Sequence, residues 1–130
     1  MRRIIQTFAT VAVATLVSFT GSMDVAAQDT RVVKVDVVDR TATGPDVVQS
    51  GGTEVVRVTQ GDRVEIRWTS DEATELHLHG YNVETEVAAE GEAMMTVEAR
   101  AAGRFAIEGH GFSGDHKAKK TLLYLEVLPR

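Results

Sequence analysis

Cysteine is absent from the 130 residues, so neither a disulfide framework nor a thiolate metal site is available to the chain. Aromatics are few, with one Trp, two Tyr and four Phe, and proline occurs twice. Basic residues are outnumbered, 14 against 19 acidic, for a formal charge of -5. An acidic chain is a poor binder of nucleic acid or anionic lipid, and no nucleic-acid partner is expected. Apolar residues at three- and four-residue spacing are missing, which excludes an amphipathic helical bundle. Histidine is scarce too, with only four residues.

One apolar run stands out, from Ile4 to about Phe19, preceded by Arg2-Arg3 and followed by the small residues Val25-Ala26-Ala27. The run is short of the ~20 residues a membrane span needs. It reads as a secretory signal peptide over residues 1–27, cleaved before Gln28. The chain is therefore expected in the periplasm or outside the cell, with no span in the mature part. Residues 28–130 then form one domain, with 12 basic and 18 acidic residues once Arg2, Arg3 and Asp24 are removed.

Within that domain the recurring pattern is period-2 alternation, the mark of half-buried strands. Val33, Val35 and Val37 share one face, and Val64, Ile66 and Trp68 alternate with Arg63, Glu65 and Arg67. Thr41 to Gly52 is rich in Gly, Ser, Asp and Pro and reads as a loop. Met95 and Val97 mark a later strand, Phe105 and Ile107 another, and Thr121 to Leu128 the last. Seven to eight short strands with turn signals between them predict an all-β, Greek-key antiparallel β-sandwich. The segment Gly109 to Lys120 is too polar and Gly-rich for a strand and reads as a long functional loop.

The four histidines fall into two pairs. His77 and His79 alternate with Leu76 and Leu78, so a strand there turns two imidazoles one way and two leucines the other. His110 and His116 lie in the Gly-rich segment near the C-terminus. Neutral imidazole ligates copper and zinc, so His77, His79, His110 and His116 are the candidate metal ligands. Asp115 and Glu108 are candidates to orient those imidazoles. Lys117, Lys119 and Lys120 would repel a cation if they faced it. Met94 and Met95 are adjacent, so at most one could join a site, and Met95 reads as core with Trp68 and Phe105. No nucleophile–base pattern surrounds Ser70 or Ser113, so nothing argues for catalysis.

Val64-x-Ile66-x-Trp68-Thr69-Ser70, His79-Gly80-Tyr81-x-Val83, Gly91 and Gly103-x-Phe105-x-Ile107 together resemble a cupredoxin domain, over most of residues 31–130. The branch with the copper domain of cytochrome c oxidase subunit II and the nitrosocyanins is the nearest in pattern. The resemblance implies a Greek-key sandwich holding copper at one end, with His79 and His116 at ligand positions. The positions of the two cysteine ligands fall on Gly109 and Ser113, and that of the methionine on Lys119 or Lys120, so the thiolates are lost. His77 and His110 are additions close to the same place. The resemblance therefore implies an exported copper-binding protein with a thiolate-free site, acting in storage, buffering or delivery. The alternative is a metal-free cupredoxin-like module that binds a protein or envelope partner. A superficial likeness to copper–zinc superoxide dismutase fails, because that enzyme needs six metal-binding histidines, an aspartate and a disulfide.

Overall fold

The structure is a computed structural model that describes residues 30–130; the apolar N-terminal run lies outside the described residues. Ten strands follow in order: β1 Thr30–Val38, β2 Thr41–Thr43, β3 Val48–Ser50, β4 Thr53–Thr59, β5 Arg63–Ser70, β6 Thr74–Leu78, β7 Val83–Val87, β8 Gly91–Glu98, β9 Gly103–His110 and β10 Lys119–Leu128. They form a four-stranded sheet, β2-β1-β5-β8, and a six-stranded sheet, β3-β4-β10-β9-β6-β7. The β-sandwich predicted from the alternation is what forms. Two of the strands, β2 and β3, are three-residue pieces inside the segment read as a loop. Two pairings, β1 with β5 and β4 with β10, run parallel, so both sheets are mixed.

The core lies between the sheets and is built from one face of each strand. Val33, Val35 and Val37 of β1, Val64, Ile66 and Trp68 of β5, and Met95 and Val97 of β8 face Leu76 and Leu78 of β6, Ile107 of β9 and Leu123, Leu125 and Val127 of β10. The hydrophobic pattern also fixes register. A one-residue slip of β6 would carry Leu76 and Leu78, both 0% exposed, to the outside and draw His77 and His79 inward. Exposing two leucines alone costs about 3–6 kcal/mol. The outward display of the histidines thus follows from the burial of their neighbours.

Two turns place the loops around the site. Asp39 and Arg40 join β1 to β2 with φ of 48° and 56°, the paired left-handed residues of a tight hairpin. Arg40 is held there by two hydrogen bonds donated to Glu72, at 2.8 and 2.9 Å. Between β9 and β10 the chain makes a 3-10 turn, Phe112–Gly114, entered through Gly111 at φ 65°. Phe112 drops from this turn into the core at 1% exposure, and Arg40 stacks on its ring at 5.0 Å. A polar loop is thereby pinned by one aromatic residue.

Candidate metal centre

Strand alternation on β6 and β9 builds the site. The two strands are antiparallel, with Glu75 opposite His110, Leu76 opposite Gly109, His77 opposite Glu108 and Leu78 opposite Ile107. Leu76, Leu78 and Ile107 point into the core, so His77, Glu108 and His110 share the outer face of the six-stranded sheet. His79 lies just past β6, and its amide N–H donates to the Ala106 carbonyl at 2.9 Å, which continues the pairing. The β9 strand reaches His110, so the segment assigned to a loop is shorter than the sequence suggested. That extension is what sets His110 beside His77.

The three imidazoles offer ligand atoms that all lie within 4.8 Å of one another. The rings of His77 and His79 are 4.3 Å apart between centroids, and those of His77 and His110 are 6.1 Å apart. One carboxylate oxygen joins two of them: Glu108 Oε2 is 3.0 Å from His79 Nε2 and 3.1 Å from His110 Nε2. The His110 contact is a hydrogen bond, with the ring N–H donating to the carboxylate. His79 Nε2 faces the same oxygen, so a single carboxylate oxygen serves both rings.

These separations fit one metal ion. Two ligand atoms about 2.0–2.1 Å from a copper or zinc ion, at 90–110° to each other, are roughly 2.8–3.4 Å apart. The two nitrogen–oxygen distances fall within that range. The three imidazole ligand atoms lie within 4.8 Å of one another, so gathering them on one ion takes closures of up to roughly 1.4–2 Å. The side chains are 45% exposed at His79, 36% at His110 and 20% at Glu108, so an ion can reach them.

Electrostatics favour a carboxylate at this point. Glu108 is held below the usual carboxylate range, first by the close approach of His79, then by His110 and by the charge of Lys119, against burial that pushes the other way. Lys119 is opposite His110 across β9–β10 and therefore shares the outer face, whereas Lys120, opposite Gly109, does not. Around the cluster, Glu84 is opposite His77 and Glu86 opposite Glu75. A groove of about 750 Å³ opens beside His110, with Glu75, Glu86, Glu92 and His116 among its lining residues.

The remaining sequence candidates are elsewhere. His116 is exposed on the loop and lines that groove, outside the cluster of three. Asp115 accepts the Lys117 amide N–H at 3.0 Å, and of the two residues expected to orient an imidazole it is Glu108 that pairs with histidines. Gly109 faces inward, where a Cβ would overlap the Phe112 ring and stand 3.1 Å from Thr74 Oγ1. Ser113 donates to Glu72 Oε1 at 2.8 Å, joining the Arg40–Glu72 pair. Both positions that correspond to lost cysteines thus serve the loop's own packing. Met95 is fully buried, and Met94 is 51% exposed on the outer face of the other sheet. The contribution of Phe112 was not legible in the sequence, because no alternation surrounds it.

Neither a protein-family model nor a curated protein matches the chain. Solved structures do. The domain is similar to a chain of a heme-copper terminal oxidase dimer (18% identity, TM-score 0.54), over 75% of this chain and 64% of that one. It is also similar to a multi-copper oxidase from Pseudomonas thermotolerans (18% identity, TM-score 0.55), over 80% of this chain but only 31% of the oxidase. A copper-binding protein in its apo form matches at 11% identity and TM-score 0.52, over 78% of this chain and 90% of that one. The chain spans under two thirds of either oxidase chain. At these identities the likeness is one of fold alone, a β-sandwich of cupredoxin-like architecture. The loss of the thiolates is a feature of this chain, which contains no cysteine.

Proposed function

We propose that this chain is an exported copper-binding protein that holds the ion on His77, His79 and His110 and stores, buffers or hands it on. The observation that carries the reading is the convergence of three imidazoles, whose ligand atoms lie within 4.8 Å of one another, on one sheet face. The architecture supports copper as the ion, since each of the three similar structures is named for copper. The order of divalent affinities also places Cu(II) above Zn(II) at a nitrogen site. A partly exposed site suits exchange better than permanent retention. Nothing in the cluster resembles a nucleophile with its base, so no catalytic step is assigned.

Copper titration followed by electron paramagnetic resonance tests the reading. One equivalent of Cu(II) with a nitrogen-ligated signal is expected, weakened in His79→Ala and little changed in His116→Ala. Weak binding that is indifferent to His79→Ala would leave the competing reading, a metal-free module that binds a protein or envelope partner. That reading has its own observation, the Phe112 ring filling the space inside Gly109, one of the two cysteine positions of the family pattern. Export is tested separately by N-terminal sequencing of the secreted protein, with Gln28 expected first.

A further inference from the structure

The donors within reach of the three imidazoles are nitrogen and oxygen only. The chain has no cysteine, and among the described residues the thioethers are Met95, sealed in the core, and Met94, on the far sheet. Among the described residues, the further side-chain donor paired with these rings is Glu108, whose Oε2 stands 3.0 and 3.1 Å from two ring nitrogens. Resting on the copper reading above, we infer that Glu108 is the fourth ligand and makes this a site for oxidised copper that lets the ion go when it is reduced.

The reasoning is one of charge and softness. An anionic carboxylate oxygen is a hard donor that stabilises a doubly charged ion more than a singly charged one, whereas Cu(I) selects thiolate and thioether sulfur. The carboxylate is already positioned, since its Oε2 stands 3.0 Å from His79 Nε2 and 3.1 Å from His110 Nε2. Taking up Cu(II) exchanges those contacts for bonds to the ion without moving strands. An external one-electron reductant of the ascorbate class then supplies one electron to copper. Cu(II) becomes Cu(I), the three imidazoles and the carboxylate return unchanged, and no bond of the protein is made or broken. Released Cu(I) passes to an acceptor with sulfur donors.

The test measures both oxidation states on the full protein and on Glu108→Gln. Cu(II) affinity is read by competition with nitrilotriacetate, and Cu(I) affinity by competition with bathocuproine disulfonate in ascorbate. In the variant, Cu(II) binding is expected to weaken about 10–100-fold while Cu(I) binding changes less than about threefold. The copper potential then rises by about 59 mV for each tenfold of that difference. Glu108→Asp keeps the charge but withdraws the oxygen, and should fall between the two. Melting of the metal-free proteins checks that the fold is intact. Equal losses for both ions, no loss for either, or wild-type behaviour in Glu108→Asp overturns the inference while leaving three-imidazole copper binding in place. Failure of the underlying reading looks different: the unmodified protein then binds neither ion at one equivalent.

Discussion

Gly109→Ala adds a single methyl group at the point where the Phe112 ring closes the inner side of the sheet. The new Cβ would overlap the ring's Cζ, stand 2.9 Å from its Cε2 and 3.1 Å from Thr74 Oγ1. Phe112 cannot swing away freely, since it is 1% exposed and capped by the Arg40 guanidinium at 5.0 Å. Thr74 is also committed, donating its hydroxyl to the His110 carbonyl at 2.9 Å. Overpacking of this kind costs about 1–3 kcal/mol. For a domain of this size each kcal/mol lowers the melting temperature by about 4–8 °C, so a fall of roughly 4–24 °C is expected. Phe112→Ala alone costs about 3–5 kcal/mol, and in its background the Gly109→Ala penalty should vanish, giving a coupling of about 1–3 kcal/mol. Thermal melts of the four proteins measure the cycle. The reasoning fails if Gly109→Ala melts within about 1 °C of wild type, or if its penalty persists undiminished without the Phe112 ring. A sharper form uses Gly109→Cys, whose sulfur would point inward, away from the imidazoles. Copper should then produce no intense thiolate-to-copper absorption.

Three further outcomes are expected. The Arg40 and Ser113 hydrogen bonds hold the Glu72 carboxyl down to about 2, against an ordinary value of 4.5. A depressed carboxyl stabilises the fold above its unfolded value and loses that effect as pH falls, so the melting difference between wild type and Glu72→Gln should be full above pH 4.5 and shrink towards pH 2. Lys119→Gln removes a cation from the face of the histidine cluster and should raise Cu(II) affinity roughly two- to fivefold, less at high salt, in the same competition titration. Copper affinity should also fall steeply below about pH 6, since imidazole must be neutral to ligate. An affinity flat from pH 7 to about pH 5 would exclude imidazole ligation.

Much of this architecture is written in local alternation. Leu76 and Leu78 against His77 and His79 give β6, its register and the outward histidine face at once, and Val64, Ile66 and Trp68 do the same for β5. Alternation also carried information about His110, two residues on from Glu108, but the glycines around it suggested a loop. The strand continues through Gly109 because the missing side chain leaves room for Phe112, a contact made across the loop and invisible in local pattern. His116 shows the converse. Its closeness in sequence to His110 suggested a pair, yet left-handed residues at Gly111, Ser113 and Gly114 turn the chain away before it arrives. The short strands β2 and β3 carry little apolar signal, and their pairing depends on neighbours already in place.

The histidine cluster lies on the outside of a core that is complete without it. The core is closed by the apolar faces of the strands and contains none of the three histidines. Metal uptake then acts as simple mass action: stability rises with the logarithm of free copper over its dissociation constant and needs no folding step. On the copper reading, an ion would enter and leave while the sandwich beneath it stays as it is.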